Sequence, residues 1–225
     1  MPTLILTGAA GNLGSVVTRF FLDKGWNVHA SCINSKEAER LPVHPNCSRS
    51  IGNLSDEKSV EALFSEAETV NAVVHLVGGI KAGEPLSETS LDTFDNMITL
   101  NTRTTFLVLR QAMRVLQTNG GAIVTIGAKA AIHPETNKST YAAAKAAAIN
   151  LTLTAAEEGK QYGIRANCIV PGIILTPANL EWATGGEEKN WTPPHDFAEA
   201  IFALCSETGK GISGAILPMY GKLPS

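Results

Sequence analysis

At 225 residues and 44% hydrophobic, the chain is long enough to bury one substantial core, and no linker divides it, so a single domain over 1–225 is expected. Its 18 basic residues are scattered against 21 acidic ones, for a formal net charge of −3, which speaks against a nucleic-acid surface. No run approaches the roughly 20 apolar residues of a membrane span, and Thr7-Gly8 interrupts the apolar N-terminus too early for a secretory signal.

The four cysteines (Cys32, Cys47, Cys168, Cys205) lie far apart with no CxxC spacing. Reduced thiols in a cytoplasmic protein are the expectation, with no metal site.

In chain order, Leu4-Ile5-Leu6 is a continuous apolar run, as in a strand buried on both faces of a sheet. Thr7-Gly8-Ala9-Ala10-Gly11-Asn12-Leu13-Gly14 follows at once. An amphipathic helix is predicted from about Ser15 to Lys24, stopped by Gly25, and a second strand over Trp26–Ile33. A glycine-rich turn between a strand and a helix is a dinucleotide cradle, because the backbone approaches the pyrophosphate and the helix N-terminus binds the anion. The alternative is a glycine turn with no ligand.

Further on, Ser35–Ser50 reads as loop, Arg49–Gly52 as a short strand, and Asp56 to about Ala67 as a helix capped by Ser55 or Asp56. Val70–Val77 is a buried strand ending in Gly78-Gly79, and Leu91–Gln117 a long helix. Gly120 to Leu151 then gives a strand (Ala122–Ile126), a loop and an alanine-rich helix. Ile164–Val170 is a strand broken at Pro171-Gly172. The stretch from Thr176 to Pro194 reads as a lid (roughly 177–194), followed by a helix (Asp196–Cys205) and a strand (Gly214–Met219). Alternating strands and helices predict an α/β fold, a Rossmann-type doubly wound parallel sheet with ligands at the strand C-termini.

The alanine-rich helix carries Tyr141 and Lys145 four residues apart, on one helical face. A phenol beside an ammonium group can donate a proton. Spacing alone favours the plainer alternative, a core-packed tyrosine followed by a solvated lysine one turn later.

The glycine turn Thr7–Gly14, Val77-Gly78-Gly79, Asn101, Tyr141-Ala-Ala-Ala-Lys145 and Pro171-Gly172 with Thr176 together resemble the short-chain dehydrogenase/reductase family over essentially the whole chain. The resemblance implies an oxidoreductase that moves a hydride from a nicotinamide. Tyr141 would donate the proton, and Lys145 would bind the nicotinamide ribose and lower the tyrosine pKa. Asn101 would hold a water in the proton relay; its competing reading is a helix-interrupting residue satisfied by backbone. Thr176 would contact the carboxamide. The dinucleotide would lie along Gly8, Gly11, Asn12, Leu13, Gly14, Asn34, Ser35, Asn53, Leu54, Gly78, Gly79, Pro171, Gly172, Ile174 and Thr176. Homodimers or homotetramers would form through Asn101–Leu116 and Tyr141–Ala156.

Two departures from the family pattern carry information. Thirteen residues before Tyr141, where the family places a serine that hydrogen-bonds the substrate oxygen, this chain has Ala128. Losing one such donor costs about 10²–10³ in rate. A subfamily without the serine, the dihydropteridine reductases, is similar in Gly127-Ala128-Lys129-Ala130-Ala131, in Gly78-Gly79 and in Trp191-Thr192-Pro193. That similarity implies a quinonoid dihydropterin substrate, whose extended π-system delocalises charge, in a pocket of Gly127, Ala128, Ile80, Trp182 and Trp191. Ile80 replaces the subfamily's tryptophan, so Trp182 or Trp191 would supply an aromatic face, or would pack the lid.

The second departure is Cys32, where an acid would bind a ribose 2′-hydroxyl. Without that acid, Ser35, Lys36 and Arg40 are free to meet a 2′-phosphate, so NADP(H) is expected over NAD(H). The other functions left open are reduction of another ketone, enone or quinone, and dinucleotide binding with little catalysis.

Overall fold

The computed structural model describes residues 1–181 and 183–223. Among them, seven strands form one sheet in the order β3-β2-β1-β4-β5-β6-β7: β1 (Thr3–Thr7), β2 (Asn27–Cys32), β3 (Cys47–Ile51), β4 (Ala72–His75), β5 (Gly121–Ile126), β6 (Ile164–Pro171) and β7 (Ile216–Met219). Every pairing is parallel. The sheet is therefore doubly wound, as the alternation of elements predicts.

Alternation within the apolar runs splits the core. Leu4, Leu6, Val74 and Val124 face one layer, with α1 (Asn12–Asp23) and α8 (Pro194–Cys205), while Ile5, Val73 and Ile123 face the other, with α3 (Glu57–Ser65), α5 (Thr104–Leu116) and α6 (Ser139–Gly159). Phe21 and Phe197 are fully buried in the first layer, each contributing about 1.5–3 kcal/mol of transfer free energy. Phe21, Trp26 and Phe202 meet edge to face there, with centroids 5.2–6.0 Å apart. In α6 the buried small residues Ala144, Ala148, Ala155 and Ala156 let the helix lie close to its neighbours.

The ends of α1 follow its sequence. Gly25 takes φ +77°, with Trp26 N–H bonded to Phe21 O (3.0 Å) and Gly25 N–H to Leu22 O (2.9 Å), the paired bonds that close a helix on a left-handed glycine.

Four segments differ from the sequence reading. The expected loop after β2 opens with α2 (Ser35–Ala38), because Asn34 accepts from Glu37 N–H while Glu37 Oε2 accepts from Ile33 N–H, a reciprocal cap. The expected single helix over Leu91–Gln117 is α4 (Leu91–Met97), a π-helical segment over Ile98–Arg103, and α5. Within it Thr104 and Thr105 hydroxyls bond the carbonyls of Leu100 and Asn101, and Asn101 bonds Met97 O. The stretch 177–194 holds α7 (Pro177–Leu180) and a 3₁₀ turn over Glu188–Asn190, and it is tied to β6's exit by a parallel bridge between Ile174 and Thr192. Pro194, read as lid, is instead in the first turn of α8, where its fixed φ and missing N–H cost nothing.

The chain runs outward from β1 to β3, then returns to place β4 on β1's other side. The crevice at the C-terminal ends of β1 and β4 is the switch point at which such sheets bind ligands. Its turn tolerates no side chain at Gly14, where a Cβ would lie 2.0 Å from Gly8 O. Gly14→Ala is expected to lower unfolding stability by about 1–3 kcal/mol through overpacking, against an unchanged value for a surface Gly211→Ala control, read by urea titration.

Candidate active site

The glycine turn comes first. Gly8 adopts φ +69° and lies so close to the Leu76–Val77 peptide that a Cβ would sit 3.2 Å from it. Gly11, in extended conformation, is the N-cap of α1 and offers no side-chain cap, so the first-turn N–H groups of Asn12, Leu13 and Gly14 have no capping side chain and are available to an anion. A pyrophosphate group fits this cradle through the uncapped donors, while Gly14 lets the helix start pack directly on the Gly8 carbonyl.

At the end of β2 the structure brings in a residue that the sequence reading missed. Glu37, through its cap on Ile33 N–H (3.2 Å), places a carboxylate beside Cys32, whose thiol is pushed up to about 11, first by burial and next by that carboxylate. Arg49 and Arg40 act on Cys32 in the opposite direction. The spacing Asn34-x-x-Glu37 was the available signal, as a capping box. Asn34's side-chain oxygen is itself engaged by Glu37 N–H (2.9 Å), and Ser35 starts α2. Asn53 Oδ1 accepts from both Ser55 N–H (3.0 Å) and Ser55 hydroxyl (2.9 Å), and Leu54 is buried.

At the ends of β4 and β5, Gly78 lies between two candidate site side chains. A Cβ there would be 2.8 Å from Asn101 Oδ1 and 2.8 Å from Lys145 Nζ. Lys145 is buried, donates to Ile126 O at 2.9 Å, and has its pKa lowered to about 8 by desolvation. Asn101 is fully buried; its amide donates to Gly79 O (3.0 Å) and Met97 O (3.1 Å) and accepts from Gly79 N–H (3.1 Å). Those bonds are the backbone-satisfied alternative for this residue.

Tyr141 shares its helix with Lys145 and is half-buried. Its phenol is pushed up to about 12 by burial and then by Glu135, the reverse of the lowering expected from Lys145. In the protein alone the lysine's charge is turned to the Ile126 carbonyl, and desolvation of the phenolate dominates.

On the far side, Thr176 caps α7, accepting from Asn179 N–H at 3.3 Å. Gly172 donates to Met219 O (3.0 Å), and a Cβ at Gly172 would strike Tyr220 and Leu223. Pro171 ends β6, and Ile174 holds Thr192.

Of the expected substrate residues, Ala128 is 4% exposed and extended (φ −157°), and Gly127 packs against Ile149 and Val170. Ile80 is 56% exposed. Trp191 is buried at 4% exposure in the 177–194 stretch, and Trp182 lies outside the described residues. The aromatic ring beside the Ala128 loop is instead Tyr220, with Lys129 Nζ 5.4 Å from its centroid and His133 at 6.2 Å. No sequence signal pointed to it, since it follows the last strand and meets the loop only through the β6–β7 pairing. Among the described residues no group of His, Cys, Asp and Glu could hold a metal ion, and no helix is long and apolar enough to cross a membrane.

With this geometry in place, comparison with known proteins is informative. Residues 8–221 match the family described as enoyl-(acyl carrier protein) reductase. The 7α-hydroxysteroid dehydrogenase of Bacteroides fragilis is 29% identical over 244 residues, covering 98% of this chain and 93% of that protein. The uncharacterized oxidoreductase YuxG of Bacillus subtilis is 26% identical over 257 residues, 98% of this chain, while the chain spans 37% of YuxG's length. Among solved structures, ElxO with NADP bound has a TM-score of 0.90 at 24% identity, over 98% of this chain and 97% of that one. A 3-ketoacyl-(acyl-carrier-protein) reductase from Brucella melitensis complexed with NADH gives 0.88 at 23%, with the same coverages. These structural likenesses establish the shared fold. The family match over nearly the whole length, on a parallel sheet of this strand order, establishes that the chain belongs to the short-chain dehydrogenase/reductase family.

Proposed function

We propose that the protein is an NAD(P)H-dependent reductase in which Tyr141 donates a proton to the substrate while a hydride is delivered to it. The observation that carries this reading is the pair on α6: Tyr141, with Lys145 one turn on, buried against Gly78 at the strand ends. When bound, the dihydronicotinamide supplies the hydride. Gly8, Gly11 and Gly14 hold the pyrophosphate at the start of α1, and Lys145 holds the nicotinamide ribose. Asn101, its side chain engaged by backbone, contributes to the relay by shaping the turn beside Lys145. Thr176, with Pro171 and Gly172, closes the nicotinamide side. In the protein without cofactor, burial and Glu135 keep the proton on Tyr141.

The substrate in this reading is conjugated. No hydroxyl stands at Ala128 to bind a developing alkoxide, so the substrate has to carry the charge in its own π-system. A quinonoid dihydropterin meets that requirement, as do enones and quinones, with Tyr220 as the available aromatic face. A simple ketone substrate is the second reading, favoured by the likeness to a hydroxysteroid dehydrogenase.

For the cofactor, Lys36 and Arg40 favour a 2′-phosphate and so NADP(H), with Glu37 as the opposing charge beside Cys32. The buried thiols of Cys32, Cys168 and Cys205, all free, suit a reducing cytoplasmic compartment. Phe94 and Phe106, 42% and 44% exposed near and on α5, support self-association through this face.

Paired NADPH and NADH titrations, with turnover assayed on dihydropterin, enone, quinone and ketone substrates, should show tighter NADPH binding and turnover of a conjugated substrate. Tyr141→Phe should retain dinucleotide affinity and lose about 10²–10⁴ in kcat; full turnover without the phenol would remove Tyr141 from its role.

The pH dependence has a definite sign. Lys145 is a base with a depressed pKa, so its ammonium is present below about pH 8 and lost as pH rises through that value, while Tyr141 stays protonated. kcat/KM for the dinucleotide should therefore fall above about pH 8, and Lys145→Arg should abolish that limb without removing binding. A limb unchanged in the Arg variant would assign it elsewhere. Self-association, finally, should give a dimer or tetramer by sedimentation velocity, shifted toward monomer by Phe106→Glu; a wild-type monomer at micromolar concentration would exclude it.

A further inference from the structure

We propose that His75 is a positioning residue, a neutral imidazole held as its Nε2–H tautomer that ties the glycine turn after β1 to the π-helical segment carrying Asn101. The proposal rests on the dinucleotide reading above for its kinetic consequences, but not for its hydrogen-bond assignment.

His75 is the last residue of β4, 2% exposed, and directly opposite Thr7, the last residue of β1. Its Nδ1 is 2.8 Å from Thr7 Oγ1, and its Nε2 is 3.4 Å from Thr104 Oγ1 at the start of α5. The direction of both bonds follows from what else the hydroxyls do. Thr104 donates its one proton to Leu100 O at 2.7 Å, so toward His75 it can only accept. Nε2 must then carry the hydrogen. At the other ring nitrogen, Thr7 Oγ1 already accepts from Leu76 N–H at 3.2 Å, and its own proton needs an acceptor, because Thr7 is fully buried. The lone pair of Nδ1 is that acceptor. Each end of the imidazole independently requires the same tautomer.

The two ends lead to different parts of the site. Thr7 immediately precedes Gly8, which lies against the Leu76–Val77 peptide and opens the pyrophosphate turn. Thr104 follows the segment Ile98–Arg103, whose Asn101 is bonded to both the N–H and the C=O of Gly79. The ring thus spans the gap between the turn that holds the phosphates and the helical segment that meets Gly78-Gly79. Burial and the nearby Lys145 charge disfavour its protonated form, which would destroy the acceptor end.

Because the ends are chemically distinct, they can be removed separately. His75→Asn places an amide oxygen near the Nδ1 position and does not reach Thr104. His75→Gln places an amide nitrogen near the Nε2 position and gives up Thr7. Asn should bind NADPH within threefold of wild type while kcat falls at least tenfold; Gln should weaken NADPH at least tenfold while kcat at saturation stays within threefold. Variants that unfold cooperatively as wild type does, yet show no such split (both parameters unchanged, or both lost together), overturn the positioning role. The tautomer is read on the wild-type protein by ¹⁵N NMR of labelled histidine at neutral pH. A pyridine-type Nδ1 and a protonated Nε2 are expected for the His75 ring, and the opposite pattern overturns the assignment even if every variant fails to fold. Should wild type bind neither NADPH nor NADH, the proposed function fails while the ¹⁵N result still stands or falls by itself.

Discussion

The site is organised around a space that contains no side chain. Gly78 lies where a Cβ would come within 2.8 Å of both Asn101 Oδ1 and Lys145 Nζ, so any larger residue would oblige these two side-chain ends to shift. Asn101 arrives on the π-helical segment and Lys145 on α6, and neither could keep its hydrogen bonds if the strand end were pushed away. The bonds concerned are backbone ones: Gly79 N–H and C=O to Asn101, and Ile126 O to Lys145. Leaving any of these groups buried and unpaired would cost about 1–3 kcal/mol. The glycine is thus a condition for geometry built by its neighbours.

Electrostatics follow from the same burial. An ammonium group withdrawn from water is destabilised, and one carbonyl partner offsets only part of that cost, which is why Lys145 falls to about 8. The phenol on the same helix moves the other way, because desolvation disfavours its anion and Glu135 adds to the effect. The protein alone therefore holds an acid with its proton firmly on and a cation that sheds its proton readily. Sequence spacing shows that the two side chains share a face; it cannot show which of burial and attraction prevails.

Much of the fold was legible because it depends on local chemistry. Leu4-Ile5-Leu6 reads as a two-sided strand and is one, and Gly25 stops α1 where a left-handed cap is needed. What was not legible depends on partners distant in sequence. The π-helical break at Asn101 exists because Gly79, 22 residues earlier, draws the amide inward. Tyr220 meets Lys129 only because β7 pairs with β6. Trp191 looked available as an aromatic wall, but the Ile174–Thr192 bridge brings its segment against the end of β6, and it is buried there. Glu37 is the exception, a local signal passed over: a capping box was present in Asn34–Glu37, and with it a carboxylate near the position where one was thought absent.

Ala128 remains the residue that most restricts the chemistry. It is buried at the start of the 3₁₀ turn over Lys129–Ala131, and its carbonyl is bound to Ala131 N–H, so the main chain is ordered although the side chain donates nothing. A hydroxyl lost from such a position costs about 3–4 kcal/mol when charge gathers on one oxygen. That penalty applies only to substrates that localise charge. In a conjugated acceptor the charge spreads over several atoms. Under the proposed reading, the alanine therefore favours a substrate that carries its own delocalisation.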